Sequence, residues 1–154
     1  MSSPNSAGTP FSDDELAAWH GMLTLYSRVM RDLDRELLAS HQISVREFDV
    51  LITLANAPDY RLRMSDLAER VMLTPSGLSR LVDRLVRARL VERQTDSSDA
   101  RGFRAVLTDL GAQRLDEARA THNAIIRIRF TDRLGMEELK ELGAIWAKVL
   151  PGEN

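Results

Sequence analysis

Ten arginines and six acidic residues fall between positions 61 and 104, whereas the rest of the chain carries 11 basic and 17 acidic residues. A guanidinium surplus confined to one stretch suits a polyanion, because each planar fork stays charged and matches phosphate oxygens two at a time. Within that stretch Arg80, Arg84 and Arg87 stand four and three residues apart, a spacing that puts them on one face if the segment is helical. Ser76, Gly77 and Ser79 precede and interleave with them. Small polar side chains let a helix lie deep in a nucleic-acid groove, and hydroxyls and a helix N-terminus suit phosphates and base edges. A solvated helix face has the same composition. Because 19 of the 21 basic residues are arginine, their abundance alone does not decide between the two.

Other chemistries find little support. There is no cysteine, which removes disulfides, Cys-based zinc sites and thiol redox sensing. His20, His41 and His122 are the only histidines and are not paired at helical spacing, so a metal-responsive site has no ligand set. No nucleophile elbow or phosphate-cradling glycine loop is present, and an enzyme is not expected. No cofactor is expected either. The net charge of −2 and an apolar content of 44% are those of a soluble globular protein. No stretch approaches the roughly 20 apolar residues of a membrane helix, and residues 1–10 read as a disordered polar leader rather than a signal peptide. A cytoplasmic location follows.

The elements that must position the arginines can be traced along the chain. Ser12-Asp13-Asp14-Glu15 and Ser44-Val45-Arg46-Glu47 are capping boxes, each flanked by staple residues: Phe11 and Leu16, then Ile43 and Phe48. Leu16, Trp19, Leu23, Tyr26, Met30, Leu33 and Leu37 continue from the first box at alternating spacings of three and four. That heptad seam predicts a helix packed along its whole length. Phe48, Leu51, Ile52 and Ala55 mark the second helix, stopped by Pro58. Residues 61–63 read as a short extended piece, and Ser65 is expected to cap a brief helix. Thr74 caps the next, at 75–88, with Pro75 first inside it and Leu78, Leu81, Val82 and Leu85 as its buried stripe. Leu90–Arg93 and Phe103–Leu107 read as strands around a polar loop, Gln94 to Gly102. Thr108 then caps a long helix to about Phe130, and a last amphipathic helix follows Gly135 and ends at Pro151. The fold class is mainly α (α+β): a winged helix-turn-helix, about 44–108, with flanking dimerisation helices at about 12–39, 108–130 and 135–150, all in one domain from 11 to 150.

The segments Met64-Ser65-Asp66-Leu67-Ala68-Glu69-Arg70 and Leu73 to Leu85 resemble the DNA-binding core of the MarR (multiple antibiotic resistance regulator) family. So do Asp99-Ala100-Arg101-Gly102 and Ala105-Val106-Leu107-Thr108, and the helix order extends the resemblance to about 12–150. The resemblance implies that helix 75–88 enters the major groove of double-stranded DNA through Thr74, Pro75, Ser76, Gly77, Ser79, Arg80, Arg84 and Arg87. It also implies that Arg101 reaches the minor groove, where it would sense width and A·T content. Asp99 would orient Arg101 or pair with an arginine of the helix; a hairpin-stabilising Asp99–Arg101 ion pair is the structural alternative. The family usually places Gly just before the first wing strand, where this chain has Arg89. If that residue is left-handed it costs roughly 1–2 kcal/mol, unless the helix ends differently or a phosphate contact offsets the strain.

A homodimer is expected, because the outer helices present more apolar surface than one small winged domain covers. Leu16, Leu23, Leu115, His122, Ile125, Leu139, Leu142 and Trp146 are the expected interface. Twofold symmetry would set two such helices roughly 34 Å apart on a pseudo-palindromic operator. The resemblance further implies a transcriptional repressor released by a small aromatic or anionic effector. Trp19, Tyr26, Met30, Arg46 and Phe48 are candidates to line its pocket, though a seam of this composition also serves as plain core. A winged helix that docks proteins without binding DNA is the competing reading. The arginine-bearing face argues against it.

Overall fold

Ser12 and Ser44 each accept the backbone N–H three residues on, and Glu15 and Glu47 each return a carboxylate to the serine N–H at 2.7 Å. Helices α1 (Asp13–His41) and α2 (Val45–Ala55) therefore begin where the two capping boxes put them. The structure, a computed structural model, describes residues 9–95, 102–150 and 152. After α2 a 3-10 turn, Pro58–Tyr60, leads into β1 (Arg61–Arg63), α3 (Met64–Arg70) and α4 (Pro75–Arg87). Strands β2 (Val91–Thr95) and β3 (Phe103–Leu107) follow, then α5 (Asp109–Arg129), a 3-10 turn at Thr131–Arg133 and α6 (Met136–Val149). The sheet has the order β1-β3-β2 and is antiparallel throughout, with Arg63 opposite Arg104 and Val91 opposite Leu107.

Two expectations at element ends need correction. Ser65 does not cap α3: the helix starts two residues earlier than such a cap implies, at Met64, its N-cap Arg63 makes no capping bond, and the Ser65 hydroxyl turns to Asp66 at 3.2 Å. Leu90 is not in a strand but closes the turn after α4, and β2 runs on to Thr95. Pro151, expected to end the last helix, lies outside the described residues.

The core is continuous from the middle of α1 to the wing. Leu33 and Leu37 of α1, Phe48, Leu51 and Leu54 of α2, and the α4 stripe Leu78, Leu81, Val82 and Leu85 bury against Leu115 and Ala118 of α5. Truncating any one of these leucines to alanine removes about 2–5 kcal/mol, which is why the stripe and not the arginines sets the pose of α4. The seam of α1 is not packed along its length, however. Trp19 and Tyr26 are 53% and 58% exposed, and the buried part of the seam begins only near Met30. No residue of α6 is buried.

Position 89 is left-handed, with φ at 61°. The Arg89 N–H bonds the carbonyl of Val86 and the Leu90 N–H that of Leu85, both at 2.9 Å. This is a complete Schellman closure. The Thr108 hydroxyl donates to the Arg89 carbonyl at 2.7 Å, and the Thr108 N–H to that of Leu90. A β-carbon on Gly111 would fall 2.0 Å from the Leu90 carbonyl oxygen. The start of α5 thus holds the end of α4, and the left-handed residue is kept by its surroundings although its own side chain disfavours it. Glycine at 89 would relieve roughly 1–2 kcal/mol of backbone strain and give back about 0.5–1 kcal/mol in unfolded-chain entropy. Arg89→Gly should therefore raise the unfolding free energy by about 0.5–1 kcal/mol, and Gly111→Ala should lower it by roughly 2–3 kcal/mol. Urea titration reads both, and a destabilised Arg89→Gly would contradict the strain assignment.

Candidate nucleic-acid interface

Thr74 starts α4 in extended conformation and its hydroxyl accepts the Gly77 N–H at 3.2 Å, with Pro75 next to it needing no partner. A β-carbon at Gly77 would sit 3.0 Å from that hydroxyl oxygen, so a larger residue would crowd the cap. Thr74, Pro75 and Ser76 are exposed, and the positive end of the helix dipole faces outward there. Behind them Arg80, Arg84 and Arg87 are exposed along the side opposite the leucine stripe. Arg80 makes one long bond within its own helix, Nε to the Ser76 carbonyl at 3.4 Å, and Arg87 has no partner among the described residues.

Two contacts brace this helix from outside. Arg93 of β2 donates through one Nη to the Ser79 carbonyl and hydroxyl, at 3.3 and 3.1 Å, and pairs with Asp83 at 3.0 Å. Ser79, expected to face outward, and Asp83 are thereby tied to the wing. Arg84 is likewise engaged, its Nε donating to Glu47 Oε1 at 3.1 Å. Glu47 and Arg93 were not anticipated as part of the site. Glu47 was legible as a cap, but its second carboxylate oxygen meets a partner 37 residues away, and no local spacing encodes that. A part-exposed ion pair contributes about 0–1 kcal/mol to stability, so the significance of both contacts is orientation.

Asp99 and Arg101 lie outside the described residues. The candidate effector residues are not brought together. Trp19 and Tyr26 stand on exposed α1 surface, Arg46 is exposed, and Met30 packs against the core. Phe48 is buried with its ring stacked on His122, centroids 4.4 Å apart. Beside this stack, burial raises the Asp49 carboxyl above its ordinary pKa, and the charges of Arg46 and His122 pull the other way. An open hollow of about 890 Å³ lies between α1 and the end of α5, with Arg28, Arg31, Arg35, Arg129 and Arg133 among its lining, and none of the five candidates lines it.

Of the expected interface residues, Leu115 is a correction. It is 1% exposed inside the protomer core, because the α5 face bearing it packs against α1 and α2, and so it has no surface to offer a second copy. His122 is partly committed to Phe48 and Ile125 to the core edge. Leu23 and Trp146 are exposed, and Leu16, Leu139 and Leu142 are half-buried. Among the described residues no group of three or more potential metal ligands comes together, and no helix is long and apolar enough to cross a membrane.

Comparison with known proteins agrees with this geometry. Residues 41–102 match the family model described as MarR family. The chain is similar to Sco3205, a MarR family transcriptional regulator from Streptomyces coelicolor solved in complex with DNA. The two are 31% identical over 97% of this chain and 96% of that one, with a TM-score of 0.86. AbsC, a MarR family transcriptional regulator from the same organism, is also 31% identical, over 91% and 94% of the two chains, with a TM-score of 0.83. The HTH-type transcriptional repressor MdtR of Bacillus subtilis is 33% identical over 88 residues. The match to MdtR spans 57% of this chain and just over half, 56%, of that protein.

Because Arg93 is the only side chain of β2 bonded to α4 among the described residues, Arg93→Ala should leave the fold intact and loosen the wing. A loss of about 1 kcal/mol corresponds to roughly fivefold faster amide exchange across residues 91–95. Exchange unchanged from wild type would show that the clamp is ornamental.

Proposed function

The chain belongs to the MarR family of transcriptional regulators, and from that premise we propose that it acts as a homodimeric repressor that binds a pseudo-palindromic DNA operator. One observation carries the reading: α4 presents a capped, exposed N-terminus and a row of Ser76, Arg80, Arg84 and Arg87 on the side away from its leucine stripe. The likeness to Sco3205, whose structure holds DNA, supports duplex DNA as the partner. The repressor role rests on the name of MdtR. Ser76, Gly77 and Arg80 would meet base edges, with Thr74, Pro75, Arg84 and Arg87 nearer the backbone. Arg101 would enter the minor groove, on the strength of sequence resemblance.

Dimerisation is supported by the apolar surface left bare. Trp19, Leu23 and Tyr26 of α1 and Met136, Ile145 and Trp146 of α6 are exposed in the protomer, more large apolar side chains than a lone domain ordinarily leaves bare on two helices. The unit would run from about 11 to 150, with the DNA-binding module at about 44–108 and α1, α5 and α6 as the stalk. No effector is attached to this reading, since Phe48 is closed by His122 and Trp19 and Tyr26 lie on the face assigned to the partner.

A duplex enriched from a random pool by the protein should bind it with steep salt dependence. With on the order of 6–10 phosphate contacts per dimer, affinity should fall roughly 10³–10⁵-fold between 50 and 200 mM salt. Arg80→Ala should cost roughly 1–3 kcal/mol on that duplex and less on unrelated DNA. Failure to enrich any sequence, or an affinity flat in salt, would remove the DNA-binding reading. Leu142→Glu should shift sedimentation toward a monomer; wild type already monomeric at micromolar concentration with operator present would remove the dimer.

A further inference from the structure

We infer that Glu47 is a positioning residue for DNA recognition: it fixes the guanidinium of Arg84 so that the two Nη groups are presented outward, end-on. The inference rests on the proposed DNA-binding role of α4 and names a residue, on another helix, on which that role depends.

The geometry is specific. The Glu47 side chain is 11% exposed, and its two oxygens have separate duties. Oε2 accepts the Ser44 N–H at 2.7 Å and the Ser44 hydroxyl at 2.9 Å, which locks the carboxylate into the first turn of α2. Oε1 is left pointing at α4 and takes Arg84 Nε at 3.1 Å. Arg84 itself is half exposed, and among the described residues Nε is the only atom of its guanidinium with a partner. An arginine side chain has several rotatable bonds and a rigid, planar head with five N–H donors. Anchoring one edge of that plane leaves the Nη1/Nη2 fork free in a fixed orientation, the part that binds a phosphate or a guanine edge two bonds at a time. Without Glu47 the same head would sample many rotamers, and binding would have to order it.

The anchor is itself held. The Val45 N–H donates to Asp34 Oδ1 of α1 at 3.0 Å, next to the cap that carries Glu47. A chain of short contacts therefore runs from the stalk, through the first turn of α2, to one arginine of α4.

The sign of the effect separates this role from simpler ones. Glu47 is an anion beside a surface assigned to DNA, so if it acted only through its charge, neutralising it would tighten binding. If it orients Arg84, neutralising it weakens binding. Glutamine still closes a capping box, so Glu47→Gln tests the ion pair without removing the cap.

The experiment is a double-mutant cycle on the duplex enriched by the wild-type homodimer, with Glu47→Gln, Arg84→Ala and the pair, measured at matched salt and accompanied by melting curves. Each single change should weaken binding roughly tenfold, and the double variant should bind no more weakly than Arg84→Ala alone, because the two act through one contact. Arg84→Ala should also reduce the salt slope by about one. The Tm of Glu47→Gln should stay within a few degrees of wild type. Unchanged or tighter binding by Glu47→Gln, losses that add in the double variant, or an Arg84→Ala protein that binds as wild type would each overturn the inference while leaving the DNA-binding reading standing. If the wild-type protein enriches no duplex, the DNA-binding reading itself fails and takes this inference with it.

Discussion

A carbonyl oxygen that leaves no space for a β-carbon governs how this molecule is put together. Leu90 O lies so close to Gly111 that only hydrogen fits between them, and the contact brings the beginning of α5 onto the end of α4. From it follow the Thr108 hydroxyl bond to Arg89, the left-handed backbone at 89 and the burial of Leu90. The start of β2 one residue later is set by the same few atoms, and so is its register against β3, with Val91 opposite Leu107 just before Thr108. The end of α4, the start of β2 and the start of α5 share a single junction. Hydrophobic burial supplies most of the energy that keeps α4 in place, but the junction decides where along the core the helix stops.

The arginines of the central stretch do not form one uniform charged surface. Arg61 pairs with Asp59, Arg84 with Glu47, and Arg93 with Asp83 and Ser79, while Arg80 and Arg87 face outward. Identical side chains have been divided into braces and free contacts by what lies within about 3 Å of each. Exposed and half-exposed pairs of this kind add little to stability, and their effect is to reduce the number of orientations open to a long side chain and to the helix under it. The surplus of positive charge seen in composition is thus partly spent inside the module.

Much of the architecture was legible because it is locally encoded. Both capping boxes, the Thr74-Pro75 start of α4, its leucine stripe and the Thr108 start of α5 depend on residues within a turn of one another, and all appear as read. The start of the brief helix α3 was misplaced by two residues because Ser65 looked like a cap, yet its hydroxyl found a neighbour in Asp66. Long-range pairing was not legible: nothing near Glu47 announces Arg84, and nothing near Arg93 announces Ser79. The heptad seam of α1 was correctly apolar, and Leu16 and Leu23 in its first half were expected at an interface, but even spacing does not mark where along the helix cover within the protomer begins. Leu115 failed for the converse reason, since a leucine on a long amphipathic helix reads the same whether its neighbour belongs to its own chain or to another.

The last helix has a consequence for the order in which the chain folds. A 14-residue segment that buries none of its residues is close to the length at which an isolated helix is marginal in water. Its capped start, with Glu138 bonded to the Gly135 N–H at 2.7 Å, helps but does not replace a packed face. The module around α2, α3 and α4, built mostly from contacts close in sequence, can consolidate first. In the proposed homodimer the helical state of α6 would be a property of assembly rather than of the newly made chain, arriving late and varying with protein concentration. A newly made copy would then hold a formed module around α2, α3 and α4 while α6 still lacked a surface to fold on.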